Sequence, residues 1–90
     1  MNAARRKVLA QIRGRISALR ADAESIGEDV SATLSDEQSY RDAMPASLGD
    51  GEKGEKADAA IEALESAESE LEDVLGALDE ALTKLEEASA

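Results

Sequence analysis

The sequence predicts an all-α protein: an antiparallel two-helix hairpin of the coiled-coil kind, dimerising into a four-helix bundle. Three observations carry that expectation. Two long runs place apolar residues at alternating spacings of three and four, and a short stretch with one proline and three glycines separates them. Charge is segregated: residues 1–21 hold six Arg/Lys and no acid, whereas residues 22–90 hold 21 acids against four bases. The 90 residues include ten Leu, four Ile and three Val, but no Phe, Trp, Cys or His. So thin a core has neither disulfide nor zinc to reinforce it, which leaves self-association as the route to sufficient burial.

The first helix is expected over about residues 3–43. Its seam reads Leu9, Ile12, Ile16, Leu19, Ala23, Ile26, Val30, Thr33, Glu37 and Tyr40. The larger apolar residues fill the first half, and Leu34 stands beside the seam where Thr33 and Glu37 weaken it. Gly14 and Gly27 each cost about 1 kcal/mol relative to Ala, which a long heptad series outweighs. Ser35 to Gln38 fits a capping box, so a break near Leu34–Ser35 is the alternative to one continuous helix. Met44-Pro45 ends the run, because the residue before proline is pushed out of the helical region. A loop over about 44–54 follows, with Met44 and Leu48 tucked against the end of the hairpin. All of 1–90 reads as one domain, since neither run could fold alone.

The second helix is expected over about 55–87. Its seam is Ala57, Ala60, Leu64, Ala67, Leu71, Val74, Leu78, Ala81, Leu85 and Ala88. Ile61, Leu75 and Leu82 flank that seam and widen the apolar stripe, which marks them as a dimer face. Charge gives the direction of docking. The bases sit at a helix start and Glu70, Glu72, Asp73, Asp79, Glu80, Glu86 and Glu87 toward a helix end, both wrong for the macrodipole. An antiparallel pair sets the two blocks side by side and repairs both faults. Exposed ion pairs are each worth about 0–1 kcal/mol, so they choose orientation more than they supply stability.

Enzyme chemistry is not expected. Without His or Cys, the usual bases, nucleophiles and soft metal ligands are missing. Glu62, Glu65, Glu68 and Glu72 have helical spacing, but the di-metal carboxylate signature needs a His three residues after a Glu, so they read as a solvated acidic face. The stretch from Asp50 fails as a calcium loop at its sixth position, Glu55, and at its twelfth, Ile61. No catalytic residue, metal or cofactor is expected. No apolar run approaches the 18 residues of a membrane span, and Arg13 interrupts the stretch after Arg5-Arg6-Lys7 too early for a signal peptide. The sequence therefore reads as cytoplasmic.

Three surfaces remain. Arg5, Arg6, Arg13 and Arg15 could hold a phosphate or nucleotide, although internal pairing with the second helix is the plainer reading. The net charge of −11 and the lack of interleaved aromatics oppose direct binding of nucleic acid. The acidic rod, with Glu62, Glu65, Glu68, Glu72, Asp73, Asp79 and Glu80, has a charge density resembling a nucleic-acid backbone, and equally serves solubility. The least repetitive stretch, Gln38 to Leu48, holds the single Tyr and the single Pro. It is either a helix stop with an apolar plug or a docking tip built on Tyr40, Met44 and Leu48.

Arg5-Arg6-Lys7, then Tyr40-Arg41-Asp42-Ala43-Met44-Pro45, then the Glu/Ala/Leu-rich run from Ala57 to Glu87 follow one another along nearly the whole chain. In this the chain resembles a family of small acidic proteins of phages, prophages and their hosts, with an aromatic-x-[DN]-x-[MI]-P motif at mid-chain. Gly49-Asp50-Gly51 departs from the more polar Gln/Ser turn of that family. The resemblance implies an accessory protein of a mobile element, without assigned catalysis. Three functions are thus open: a non-enzymatic factor inhibiting a host defence or nucleic-acid-binding protein through its acidic surface, a coiled-coil adaptor docking through Tyr40–Leu48, and a phosphate-sequestering module.

Overall fold

The computed structural model describes all 90 residues, which form three helices and no strand: α1 (Ala3–Asp42), α2 (Ala46–Gly49) and α3 (Glu52–Ser89). The molecule is elongated, 69 × 15 × 13 Å. The start of α1 is set by Asn2, whose side-chain oxygen accepts from the Arg5 backbone N–H at 2.8 Å. This satisfies one of the donors that a helix start leaves free. The helix passes through Ser35 unbroken, so the alternative break there is not realised. Pro45 stops it, as expected. The segment expected to be loop instead contains one helical turn, α2, and α3 begins at Glu52, three residues earlier than expected. Glu52 and Glu55 occupy the first turn of α3, where acids suit the positive end of the helix dipole.

α1 and α3 run antiparallel and side by side. Arg20 binds Asp79, Ser31 donates to Glu68 and Arg41 binds Asp58. The residue numbers in each pair add to 99, so one register holds over the whole length of contact. These polar links lie on one side of the pair, where Glu24, Ser31, Glu68 and Glu72 share a groove and Ala10, Ser17, Leu82 and Glu86 share another.

The seam differs in phase from the sequence expectation. On α1 the positions turned inward include Leu9, Ile16, Ala23, Val30 and Glu37, as expected, but alternate with Arg13, Arg20, Gly27, Leu34 and Arg41. Leu19, Ile26, Thr33 and Tyr40 are exposed. On α3 the inward series is Ala57, Ala60, Ile61, Leu64, Ala67, Glu68, Leu71, Leu75, Leu78, Ala81, Leu82 and Leu85, so the expected seam is covered except at Val74 and Ala88. Ile61, Leu75 and Leu82, expected on a separate dimer face, are half-buried and thus turn toward α1: Leu82 lines a groove with Gly14 and Ser17, and Leu75 one with Glu24 and Gly27. The physical reason is side-chain size. The row through Ile61, Leu75 and Leu82 offers more apolar surface than the row of Ala60, Ala67, Val74 and Ala81, and α3 turns far enough to cover it, leaving Val74 exposed and the three alanines half-buried. α1 rotates with it, which brings Arg20 and Arg41 beside Asp79 and Asp58.

Little is fully buried. Ala23, Leu34 and Ala57 are the buried hydrophobic residues, joined by Gly54. Gly54 is where α3 crosses α2: a Cβ added there would overlap the Gly49 carbonyl group.

Candidate protein-interaction surfaces

The tip is the most constructed part of the molecule. Arg41, near the end of α1, donates from Nε to Asp58 Oδ1 at 2.7 Å and from Nη2 to the Gly49 carbonyl at 3.2 Å. One side chain thereby ties α1 to both α2 and α3. Hydrogen bonding to Arg41, reinforced by its charge, holds the Asp58 carboxyl below the ordinary aspartate range, and the same bond raises Arg41. Together with the close approach at Gly54, this fixes a shallow apolar dish formed by Tyr40, Ala43, Met44, Pro45 and Leu48, with Lys53 at its rim. Tyr40 and Leu48 are exposed and Met44 is half-buried. The three residues singled out from sequence as a docking tip are therefore brought together. Leu48 does not serve as a plug; it sits on an outward-facing turn.

The acidic candidates lie on adjoining rows of α3. Glu65, Glu72 and Asp79 repeat every seven residues beside the polar side of the pair, Glu62 lies on the back, and Asp73 and Glu80 continue the arc. Two of the seven are engaged: Asp79 takes Arg20 Nε at 2.6 Å and Arg20 Nη2 at 3.3 Å, and Glu68 accepts from Ser31. Arg20 also binds Glu24 at 3.0 Å and is raised above its ordinary value chiefly by the Asp79 hydrogen bond. Glu62, Glu65, Glu72, Asp73 and Glu80 are exposed and make no ion pair. They form one continuous outer surface rather than scattered charges.

The basic candidates do not converge. Arg13 shares a groove with Glu86, whose carboxylate would repel an anion, and Arg15 lines the other side of α1 with Ile12 and Leu19. Arg5, Arg6, Arg13 and Arg15 form no ion pair. The antiparallel register does bring the two charge blocks alongside each other, but of the six early bases Arg20 alone makes the link to α3. No group of His, Cys, Asp or Glu is arranged to hold a metal ion, and no helix is long and apolar enough to cross a membrane.

Sequence reasoning missed a third surface, on the side opposite the polar links. Leu19 is 55% exposed, Ile26 53%, Tyr40 52% and Val74 45%. Four large side chains left in water along one side of a rod are the signature of an unpartnered face. The signal was present in the sequence, in the rows at Ile12, Leu19 and Ile26 that repeat every seven residues, but it was assigned to the seam.

Comparison with family models, with curated proteins and with solved structures finds no match for this chain.

Proposed function

We propose that the protein is a non-enzymatic interaction factor whose helical hairpin self-associates and presents the outer acidic arc of α3 to a basic surface on another protein. The supporting observation is the row of exposed carboxylates at Glu62, Glu65, Glu72, Asp73 and Glu80, with no cation paired to any of them. A straight helix spaces such charges at regular rises of about 1.5 Å per residue, a pattern that suits a groove built to hold a phosphodiester backbone. The resemblance to accessory proteins of mobile elements points the same way, toward inhibition of a host defence or nucleic-acid-binding protein. The test is partner capture from a host lysate by the intact chain and by Glu62→Lys/Glu65→Lys/Glu72→Lys. Binding that survives the triple reversal removes this reading.

A second reading has its own observation. The dish at Tyr40, Met44 and Leu48 is apolar and open, and Arg41 ties the elements that form it, the properties of a small docking site for an apolar side chain or helix end. For such an adaptor, Tyr40→Ala/Met44→Ala abolishes capture while the acid reversals leave it intact.

A further inference from the structure

The helix pair has one polar side and one bare side. On the bare side each helix carries a second heptad series, alongside the one used between α1 and α3. In α3 it runs from Ala60 to Ala88 and is alanine or valine except at Glu70 and Lys84. In α1 it runs from Val8 to Tyr40, with Leu19 and Ile26 near its centre and Arg15 and Asp29 flanking them. Ile12, Ala60, Ala67 and Ala81 in these series are half-buried, but Leu19, Ile26, Tyr40 and Val74 stand exposed, and a second seam so incompletely covered calls for another helical layer.

We propose that a second copy of this chain covers the bare side, running antiparallel to the first, with a twofold axis that passes near Asp22 of α1 and Ala77 of α3. The proposal rests on the reading of the chain as a self-associating hairpin and supplies the face and the orientation. The exposed apolar residues select the face, and the charge of α1 selects the orientation. α1 has six bases and no acid in residues 1–21, and seven acids against one base in residues 22–42. Laid antiparallel on its own copy, each half meets its opposite.

The register follows from single residues. An axis at Asp22 sets Arg15 level with the partner's Asp29 and packs Leu19 beside the partner's Ile26, one residue from level. Because numbers paired between α1 and α3 add to 99, the same axis must pass Ala77 in α3. There it sets Glu70 against the partner's Lys84 and Ala77 against the partner's Ala77. Arg15, Asp29, Glu70 and Lys84 are thus neutralised in one register, although they lie on different helices, while Asp36 of the α1 series faces the partner's Val8. The alanine-rich row lets the two α3 helices approach closely. Asp22 meets the partner's Asp22 at the axis, a like-charge contact that this register has to carry. The other face-to-face arrangement lays α1 on the partner's α3 with both tips at one end. It opposes Arg15 to the partner's Lys84 and Asp29 to the partner's Glu70, repulsive at every one of these positions. In the proposed dimer Glu62, Glu65 and Glu72 remain outward, Asp73 and Glu80 lie at the edge of the interface beside Ala77, and the two tips lie at opposite ends.

The chain has no cysteine, so single introduced thiols report proximity directly. Under mild oxidation Ala77→Cys should form a disulfide-linked dimer, and Ser17→Cys, on the polar side, should not. Analytical ultracentrifugation of the full chain should show Arg15→Glu weakening the dimer about tenfold, and Arg15→Glu/Asp29→Arg restoring it. A wild-type chain that stays monomeric at high micromolar concentration overturns both the orientation and the self-association it rests on. A dimer that Arg15→Glu tightens, or that cross-links through Ser17→Cys and not Ala77→Cys, overturns the orientation alone.

Discussion

Gly54 and Gly76 make opposite demands on a side chain. At Gly54 a Cβ would run into the Gly49 backbone, which cannot swing aside as a flexible side chain could. At Gly76 a Cβ would meet nothing within 4 Å, and the position lies in the middle of α3. Gly54→Ala is therefore expected to lower stability by about 1–3 kcal/mol through overpacking. Gly76→Ala should raise it by about 0.5–1 kcal/mol through helix propensity. Urea unfolding of the two variants at equal protein concentration checks both signs. Asp58 offers a second test at this scale. Its folded carboxyl titrates below the ordinary value of 3.8 because Arg41 donates to the ionised form. The Arg41 link thus contributes fully above the ordinary value and is lost as the pH falls through the folded one. Asp58→Asn lacks that titration. Between about pH 5 and about pH 3 the wild type should lose stability more steeply than the variant, as followed by thermal melts across that range. Equal slopes would mean that the link contributes nothing to folding.

At the scale of the helix, the question is which of two neighbouring rows faces inward. Leu34 is buried and Thr33 is exposed. Leu34→Ala is expected to cost about 2–3 kcal/mol, the lower part of the range for a buried leucine because the surrounding seam is open. Thr33→Ala should change stability by less than about 0.5 kcal/mol. Denaturant midpoints that reversed this order would restore the phase read from sequence. That phase explains how much of the fold was legible. Helix existence, the stop at Pro45 and the charge blocks follow from local chemistry, which spacing and composition record. The rotation of each helix does not, because Leu19 with Ile26 on α1 and Ile61 with Leu75 on α3 compete for one contact. The choice between them depends on how both helices pack at once. The tip shows the same division. Tyr40, Met44 and Leu48 stood out by composition, but Arg41 and Gly54, which fix them in place, matter only once α2 and α3 are folded against each other.

The whole molecule raises a question of stability that neither residue nor helix answers. Three hydrophobic residues are buried in a chain of 90, and the 6300 Å² it exposes is about a quarter more than a compact monomer of its mass ordinarily shows. The three ion pairs that link successive turns of one helix or cross between α1 and α3 most closely, Arg20–Glu24, Arg20–Asp79 and Arg41–Asp58, are solvent-exposed in part and orient the helices more than they hold them. A single copy therefore has less burial than usual to set against the ordering of its helical residues, at about 1–2 kcal/mol of backbone entropy each. Stability is then expected to come from association, and a folded state that exists only as an assembly has a melting temperature that depends on concentration. For two copies unfolding together, each tenfold rise in protein should raise the melting temperature by about 2–4 °C. Circular dichroism melts over about a hundredfold range of concentration decide the matter, because a melting temperature that stays constant assigns the whole of the stability to the single helix pair.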